Sequence, residues 1–398
     1  MSQESQTLTS EGSNTPKKIL VWLSGGVDSA VSAYLLKQDG YDVSCGFMIN
    51  YLDEEHPESC PTKADIEEAR RVAEYLGLSF YTFDYREEYE KRIVEYIYRE
   101  YTLGRTPNPD VFCNNLVKFD LFLEEALSLG FDGIATGHYA RREATSEKWK
   151  VKSEKSDMNT FELWALSFKL KKGIDPSKDQ SYFLSRLSPF QLSKAIFPIG
   201  HLLKSEVREI ARKAELPNAE RKDSQGLCFI GKVSMKEFLE RRIEKEKGDI
   251  LNTSGKVVGK HEWAFSYTIG QRKGIKVGGW PALFVMAKDT VKNTITVGTE
   301  DELELYSKVC HLTDWVGSIP EIMKTYGAKI RYRQEDQEVM VNGEWWMVKS
   351  TEWDNLASCI LYLEFKNPQR AISPWQICVI YDGDQVIGSG VITDMFAK

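Results

Sequence analysis

The sequence predicts an α/β domain with a mostly parallel sheet, followed by a small central module and a C-terminal β-barrel. Strand-like apolar runs alternate with helix-like periodicity over the first half of the chain, a pattern typical of parallel α/β sheets. A glycine-rich turn directly follows the first run, and short strand-like runs separated by turn residues fill the C-terminal part. Many short strands of this kind indicate a closed or sandwiched β structure.

In the α/β part, each expected strand is a short apolar run and glycine ends two of the expected helices. The expected strands are Ile19–Leu23, Val43–Ile49, Phe80–Phe83 and Gly133–Thr136. Helical periodicity follows the first strand and recurs at 62–76, 87–101 and 119–129, with Gly77 and Gly130 as C-terminal caps. The pattern over Leu187–Glu215 predicts a further helical region, interrupted at Pro198.

Two turn sequences predict hairpins in the β-rich part. Asn342-Gly343 separates two apolar runs, as in a tight two-residue turn. Asp382-Gly383-Asp384 separates the expected strands 378–381 and 386–392. The expected segments of the chain are a disordered tail at 1–16, the α/β domain at 17–220, a glycine-rich central module at 221–282 and the β-barrel at 283–398.

Composition excludes several classes of protein. No stretch approaches the roughly 18 apolar residues of a membrane span, and the polar start of the chain resembles no targeting peptide. The seven cysteines are odd in number and lack a CxxC pair, which argues against a disulfide framework and a structural metal site. We therefore expect a cytoplasmic protein without a membrane partner. The net charge of −7 argues weakly against nucleic acid, although local basic clusters decide that question.

The turn after the first strand has the features of a phosphate-binding loop. Ser24-Gly25-Gly26-Val27-Asp28-Ser29 lies between an expected strand and an expected helix. Glycines let the backbone turn tightly, and peptide N–H groups at a helix start attract anions. The hydroxyls of Ser24 and Ser29 could donate to phosphate oxygens. No lysine follows the glycines, so this is not the GxxxxGK[ST] loop.

Two cysteines lie in unusual settings. Cys113 follows two prolines and precedes a helix expected to begin at about Asn115, where the helix dipole would favour the thiolate. Asp110 is close by as a possible acid or base. Cys228 is flanked by apolar residues. On local sequence alone, either thiol could instead be a buried core cysteine.

The sequence SGGVDSAV resembles the loop of the PP-loop ATP pyrophosphatase superfamily, which cleaves ATP between the α and β phosphates. Further motifs then occur in one order, and together they resemble the tRNA-specific 2-thiouridylase family from about Lys17 to Ile392. These motifs are RTPNPD with Cys113, ATGHYAR (135–141), KDQSYFL (178–184), FPIGHLLKSEVR (197–208), DSQGLCFIG (223–231), YTIGQRKG (267–274) and RYRQ (331–334).

The resemblance implies a PP-loop fold for the first domain, tRNA contacts by the barrel, and a role for each matching residue. Cys113 would be the catalytic nucleophile, Cys228 the persulfide carrier and Asp110 a possible acid or base. The implied ATP-binding residues are Trp22, Leu23, Ser24, Gly25, Gly26, Val27, Asp28, Ser29, Met48 and Gly137. The implied tRNA-binding residues are Asn108, Pro109, Asp110, His138, Lys178, Asp179, Gln180, Arg331, Tyr332 and Gln376. No residue is implied as a resident metal ligand.

The reaction implied is 2-thiolation of the wobble uridine, with ATP and Mg²⁺, through an adenylated C2 oxygen and a cysteine persulfide. The implied partners are the tRNA anticodon arm and an upstream sulfur-carrier or cysteine desulfurase protein. Cys113 would either release sulfide from the persulfide or form a disulfide with Cys228. The chain departs from the family at Leu23, Gln225 and Lys232, and the turn that often reads TPGQ is Ser373-Pro-Trp-Gln here.

Two other functions use part of the same features. A ligase of the GMP synthetase type shares the loop, but it needs an ammonia source, and no glutaminase-like segment is visible in the sequence. A nucleotide-gated RNA-binding protein without catalysis would keep the loop and have no need for both cysteines. Pyrophosphate release stimulated by tRNA would support the thiolase, and release stimulated by xanthosine monophosphate would support the ligase.

Overall fold

A computed structural model of the chain describes residues 15–52, 62–151, 163–223, 233–278, 281–348 and 358–393, with backbone alone at 146–151, 163–167, 343–348 and 358–359. The chain divides into two units. The first contains Met1–Tyr89, Val111–Gly231 and Asp384–Val386, and the second contains Glu90–Asp110, Lys232–Gly383 and Ile387–Lys398.

The first unit is built on a five-stranded parallel sheet, as the sequence predicts. Its strand order is β3-β2-β1-β4-β7, and every neighbouring pair is parallel. Strands β5 and β6 form an antiparallel pair, and Lys171 of β6 also pairs with Gln385. The bounds are β1 (Lys18–Trp22), β2 (Asp42–Ile49), β3 (Ser79–Asp84), β4 (Gly133–Ala135), β5 (Ala140–Val151), β6 (Leu163–Lys172) and β7 (Ala195–Ile196).

The helices connect these strands and continue into the second unit. Two π-helical turns, Glu90–Val94 and Asn114–Leu121, adjoin the α-helices, and 3₁₀ turns occur at Ala264–Ser266 and Leu303–Leu305. The α-helices are α1 (Val27–Gln38), α2 (Thr62–Leu76), α3 (Arg86–Tyr89), α4 (Glu95–Thr102), α5 (Pro109–Cys113), α6 (Phe122–Ser128), α7 (Ser181–Leu184), α8 (Pro189–Lys194), α9 (Lys204–Lys213) and α10 (Met235–Glu240).

The helical region predicted over Leu187–Glu215 is wrong in its middle. Helices α8 and α9 are separated by the two-residue strand β7, which pairs with β4 at the edge of the sheet. A strand of two residues has no periodicity that a sequence pattern can reveal, so only the pairing with β4 identifies it.

The core of the first unit lies on both faces of the parallel sheet. Successive residues of β1 alternate between the two faces, and Ile19 and Val21 pack in one cluster with α1, α2 and α9, whereas Leu20 packs in the other with α6. A central strand buried on both faces reads as a continuous apolar run, which is why Ile19–Leu23 stands out in the sequence.

The second unit contains the predicted β-barrel. Six strands follow the order β12-β15-β14-β13-β16-β17, and pairing of β12 with β17 closes them into a barrel. Alternate side chains such as Val339 and Val341 fill its interior. The bounds are β12 (Tyr306–Gly317), β13 (Thr325–Lys329), β14 (Gln337–Val348), β15 (Ser358–Arg370), β16 (Ile377–Asp382) and β17 (Gln385–Ile392).

A four-stranded sheet precedes the barrel in the second unit, in the order β10-β11-β8-β9. Its strands are β8 (Gly248–Asn252), β9 (Val257–His261), β10 (Phe284–Asp289) and β11 (Thr294–Gly298). Because β11 pairs with β8, this sheet joins residues on both sides of the boundary expected at 282. The division of the chain into segments 1–16, 17–220, 221–282 and 283–398 remains a proposal.

One of the two predicted hairpins is confirmed. Strands β16 and β17 are neighbours in the sheet, and Gly383 supplies a positive φ of 61° between them. The prediction of a hairpin at Asn342-Gly343 is wrong, because β14 runs through that position as one strand. Its pairing with β15 shifts register between Asn342 and Trp346, so the irregularity is a bulge and not a turn. Within the described ranges, no helix is long and apolar enough to cross a membrane.

Candidate nucleotide site and substrate-binding loops

The glycine loop lies where α/β sheets bind ligands. It leaves the carboxyl end of β1, and α1 begins at Val27. The chain places β2 and β3 on one side of β1 and then β4 and β7 on the other, so the strand order reverses between β1 and β4. Ligands bind beside the carboxyl ends of the strands at such a reversal. Gly137, two residues after β4, is therefore expected near the same ligand.

Two positions of this site require glycine. Gly25 has φ +77°, and a Cβ there would lie 2.7 Å from the Arg221 guanidinium and 2.9 Å from the Asp65 carbonyl oxygen. A Cβ on Gly137 would lie 2.7 Å from the backbone nitrogen of Ser29. The peptide that follows β4 therefore packs directly against the start of α1.

The two loop hydroxyls bond within the loop itself. The Ser29 Oγ accepts from the Ser24 backbone N–H at 3.1 Å and donates to the Gly26 carbonyl at 3.0 Å. The Ser24 Oγ accepts from the Gly26 N–H at 3.3 Å. These hydroxyls hold the loop in shape. Ser29 would have to leave the Gly26 carbonyl to donate to a phosphate, whereas Ser24 can keep the bond that it accepts from the Gly26 N–H.

The carbonyl of Gly25 is held by two donors from a later part of the chain. The Asn218 side-chain amide and the Arg221 guanidinium each donate to it at 2.9 Å. Arg221 also pairs with Asp65 in the first turn of α2. The loop is thereby fixed from behind by residues 193 and 196 positions away.

The carboxylate of Asp28 lies at the start of α1 and has two side-chain partners. The Tyr139 hydroxyl donates to it at 2.8 Å, and the Lys204 ammonium donates to both of its oxygens at 2.7 and 2.8 Å. Burial, with Asp28 as the next cause, raises the pKa of Tyr139 far above its ordinary value. The phenol therefore stays protonated and remains a donor at neutral pH.

A second carboxylate shares the same lysine. The Asp223 side chain accepts from Lys178 at 2.7 Å, from Lys204 at 2.8 Å and from Arg208 at 2.9 Å. Burial alone would raise the pKa of Asp223, but the hydrogen bonds and charges of Lys178 and Lys204 outweigh it and lower the pKa to about 2. Asp223 begins the DSQGLCFIG motif, and Cys228 of that motif lies outside the described residues.

Cys113 lies within a helical segment, which corrects the expectation that it precedes one. Helix α5 begins at Pro109, proline being favoured at the first helical position, and Cys113 is its last residue before the π-helical turn Asn114–Leu121. A helix dipole acts within the first turn, so the structure does not support thiolate stabilisation at Cys113 by this route. Asp110 occupies that first turn instead. The Cys113 side chain is 1% exposed.

In the second unit, the RTPN loop is held by the Ser373–Gln376 turn. The Gln376 side-chain amide donates to the Thr106 carbonyl at 2.5 Å and to the Pro107 carbonyl at 3.3 Å. The Arg105 guanidinium lies 3.7 Å from the centre of the Trp375 ring. Loop residues 105–107 therefore have fixed positions before Asn108.

Two further motifs of the second unit meet beside this turn. The Arg331 guanidinium donates to the Ala371 carbonyl at 2.5 Å, and a Cβ on Gly270 would lie 2.4 Å from the Ala371 side chain. Lys288 donates to the Thr106 hydroxyl at 3.3 Å and to the Tyr267 carbonyl at 2.9 Å. The RTPN, YTIGQRKG and RYRQ motifs, far apart in sequence, thus surround one turn.

Three family models match consecutive parts of the chain. A tRNA methyl transferase HUP domain covers residues 17–232, a tRNA methyl transferase PRC-barrel domain covers 236–299, and an aminomethyltransferase β-barrel domain covers 309–392. The tRNA-specific 2-thiouridylase MnmA of Thiobacillus denitrificans is 41% identical over 384 residues, which is 94% of this chain and 99% of that protein. The MnmA of Cupriavidus metallidurans is 42% identical over 386 residues, with the same two coverages. The chain belongs to the tRNA-specific 2-thiouridylase family.

A solved structure of a tRNA thiolase resembles part of this 2-thiouridylase family member. The U34-tRNA thiolase NcsA from Methanococcus maripaludis is 17% identical, covers 57% of this chain and 65% of that chain, and has a TM-score of 0.32. A similarity of that size adds nothing to the full-length match with the 2-thiouridylases.

The remaining ATP-binding residues predicted from the family lie around the same strand ends. Trp22 ends β1, Leu23 follows it, and Met48 is buried near the end of β2. Asn50, which the sequence analysis missed, follows β2, is 1% exposed and has no hydrogen-bond partner for either polar side-chain atom among the described residues. A buried amide of this kind is costly unless a ligand satisfies it.

The residues of the predicted tRNA-binding motif KDQ bond within the first unit. Lys178 pairs with Asp223, while Asp179 accepts from the Gly173 N–H and the Ser181 hydroxyl at 3.0 Å each. The Gln180 side chain accepts from the Tyr139 backbone N–H at 3.0 Å. Asp179 and Gln180 thus stabilise the turn next to Tyr139, and their contact with tRNA stays a prediction.

His138 is buried and packs among rings. It is 5% exposed, and its Nδ1 lies 2.8 Å from the Thr136 hydroxyl. Burial, with Lys118 as the second cause, lowers its pKa well below the ordinary value, so the ring is neutral at pH 7. The predicted contact of His138 with tRNA stays a prediction, and the burial of the ring does not favour it.

Sequence reasoning did not assign roles to Asp65, Tyr139, Lys204, Asn218 and Arg221. Tyr139 and Lys204 lie within two of the motifs that carry the family resemblance, so their sequence context already marked them. Asn218 and Arg221 lie outside those motifs, and only their bonds to the Gly25 carbonyl reveal them.

Proposed function

We propose that this chain catalyses the ATP-dependent 2-thiolation of a tRNA uridine. The observation that carries the proposal is that relatives named as tRNA-specific 2-thiouridylases match 94% of the chain at about 41% identity. The phosphate loop lies inside the part of the chain that the first family model matches, residues 17–232. The position of that loop at a strand-order reversal, with glycine required at positions 25 and 137, supports ATP as the cosubstrate.

The first step is adenylation of the target base. The C2 oxygen of the wobble uridine attacks the α phosphorus of ATP, a new O–P bond forms, and the bond to the β phosphate breaks to release pyrophosphate. Peptide N–H groups at the start of α1 stabilise the charge on the transferring group. Asp110 is the proposed catalytic acid or base, and as a base its carboxylate would accept a proton from the uridine.

ATP is proposed to bring Mg²⁺ with it. Among the described residues, no group of three or more His, Cys, Asp or Glu side chains could hold a metal by itself. The cation would neutralise phosphate charge when bound, and Asp28 is the carboxylate of the loop that could help to hold it.

The second step is sulfur transfer. The outer sulfur of a Cys228 persulfide attacks C2 of the adenylated uridine, and AMP leaves with the former C2 oxygen. The Cys113 thiolate then attacks the Cys228 sulfur, the S–S bond breaks, and 2-thiouridine is released with a Cys113–Cys228 disulfide. If Cys113 attacks the persulfide first, it releases sulfide, which attacks C2. Both routes end in a disulfide that an external thiol reduces.

Cys113 must gain access to Cys228 for either route. Its side chain is buried, and the π-helical turn that begins at Asn114 has the irregular geometry that is frequent at functional sites. We infer that this turn rearranges when tRNA is bound.

The anticodon arm is the proposed tRNA element. A base must leave its stack before its C2 atom can be reached, and single-stranded loops allow this most easily. The exposed Arg331, with Tyr332, Gln376 and the RTPN loop, forms the part of the second unit proposed to bind the arm. An upstream sulfur-carrier protein or cysteine desulfurase is proposed to load the persulfide.

The test is mass spectrometry of nucleosides from unmodified tRNA incubated with the protein, Mg-ATP and a sulfide source. We expect one oxygen of a uridine to be replaced by sulfur, and Cys113→Ala to abolish the change. AMP formation that requires tRNA but adds no sulfur would support adenylation without the proposed donor. AMP formation stimulated by xanthosine monophosphate, and not by tRNA, would overturn the proposal in favour of a ligase.

A further inference from the structure

We propose that Lys204 supplies the phosphate-binding ammonium group that the glycine loop lacks. The inference rests on the proposed use of ATP at this loop and names a further residue that would bind the triphosphate. The loop sequence SGGVDS contains no basic residue, and its two serine hydroxyls bond within the loop. A positive charge for the triphosphate therefore has to come from another element.

Lys204 is the cation that the fold brings to the loop. It is the first residue of α9, and its backbone N–H donates to the Asp175 carboxylate at 2.9 Å, which fixes the start of the side chain. Its ammonium reaches Asp28, the second residue of α1, at 2.7 Å. The side chain is only 12% exposed, so water screens its charge weakly.

The hydrogen bonds around Lys204 let it change partners without leaving a carboxylate unpaired. If the ammonium turns from Asp28 to a phosphate oxygen, Asp28 keeps the Tyr139 hydroxyl. Asp223 likewise keeps Lys178 and Arg208. The side chains of Asp28 and Asp223 are also 29% and 32% exposed, so water solvates both carboxylates when the ammonium turns away.

Arg221, a second cation beside the loop among the described residues, lacks this freedom. It donates to the Gly25 carbonyl and pairs with Asp65. Moving Arg221 would release the loop peptide itself, whereas moving Lys204 leaves the loop intact. Lys204 is therefore the cation that can turn to the nucleotide, and its charge-assisted bond to a phosphate oxygen is of the stronger class of hydrogen bond.

The experiment compares the binding of α,β-methylene-ATP with that of adenosine, in wild type and in Lys204→Met, by calorimetry. Lys204→Met removes the charge and keeps much of the length. We expect the ATP analogue to bind roughly 10- to 100-fold more weakly, which is the usual loss for a hydrogen bond to a charged group. Adenosine has no phosphate, so its affinity should stay within about twofold of wild type.

Lys213→Met is the matched control, because Lys213 lies at the other end of α9, is exposed, and pairs with Glu209 at 2.7 Å. It should leave both affinities unchanged. If Lys204→Met fails to fold, Lys204→Gln replaces it, since its amide can still donate to the two carboxylates while lacking the charge, and the same selective loss is expected.

Two results would overturn the inference. One is wild-type affinity for the ATP analogue in the folded variant. The other is an equal loss of affinity for the ATP analogue and for adenosine, which would assign Lys204 a purely structural role. Failure of the proposed function gives a different result. Wild-type protein would then bind ATP through Lys204 and yet leave tRNA without sulfur.

Discussion

At the scale of single residues, glycine at two positions gives the loop its geometry. Gly25 needs a left-handed backbone, and Gly137 needs the absence of a side chain. The two requirements differ physically, because the first is a matter of φ and the second a matter of space. The family resemblance marked both positions, and their surroundings explain why glycine occupies them.

Gly137→Ala should weaken ATP binding. The new methyl group would lie 2.7 Å from the Ser29 backbone nitrogen, so the start of α1 would have to shift at a cost of about 1–3 kcal/mol. Calorimetry should show ATP affinity reduced by roughly 5- to 150-fold. Gly278→Ala is the control, because a Cβ at that position meets open space. Unchanged affinity in Gly137→Ala would mean that this peptide does not constrain the loop.

Trp375 occupies a backbone conformation that favours glycine. Its φ is +69°, and a non-glycine residue in this region costs roughly 1–2 kcal/mol. We expect the free energy of unfolding, measured by denaturant titration, to be about 1 kcal/mol higher for Trp375→Gly than for Trp375→Ala. Both variants lose the contact with Arg105, and only glycine relieves the backbone. Equal stabilities of the two variants would contradict the strain.

At the scale of secondary-structure elements, one capping interaction connects α8 to the segment that carries Cys113. Ser188 and Gln191 form a capping box at the start of α8. Gln191 also donates to the Asn115 carbonyl at 3.1 Å and accepts from the Asn115 side chain at 3.2 Å. The N-terminal cap of a short helix thus holds a residue two positions after Cys113.

Ser188→Ala and Gln191→Leu should separate stability from activity. Loss of the Ser188 cap should cost about 1 kcal/mol and leave thiolation per folded molecule unchanged. Gln191→Leu loses the cap and also releases Asn115, so it should lower both stability and thiolation rate. Urea unfolding and the rate of 2-thiouridine formation measure the two effects. Equal thiolation rates in the two variants would show that Asn115 does not position Cys113.

At the scale of the whole molecule, burial keeps several histidines neutral. Among the described residues, burial is the main cause that lowers the pKa of His138, His201, His261 and His311. Below their ordinary pKa near 6.5, the unfolded chain therefore binds protons that the folded chain does not. Each such histidine reduces stability as the pH falls below that value.

The free energy of unfolding should therefore decrease between pH 7.5 and 5.5, and less so in His138→Asn. A single histidine contributes at most about 1.4 kcal/mol per pH unit to this slope. Urea unfolding of wild type and His138→Asn at pH 7.5 and 5.5 gives the slope of the unfolding free energy against pH for each protein. The contributions of all other groups cancel when the two slopes are subtracted. Identical slopes would show that His138 becomes protonated in the folded protein.

The sequence by itself determined the parts of this protein that follow from local pattern. A continuous apolar run, two glycines and a helical period determined β1, the loop and α1, because each depends on neighbouring residues. Alternating strands and helices indicated the parallel sheet, and repeated short strands indicated the barrel. The order of the motifs was enough to identify the family resemblance.

Only the tertiary structure decided which distant side chains meet. Lys204 pairs with Asp28 across 176 positions, and no local period encodes such a distance. The same holds for β7, which exists through its pairing with β4, and for Cys113, whose burial depends on the packing of neighbouring elements. Contacts of this kind arise when elements pack around a common core, so they are properties of the folded chain and not of any segment within it.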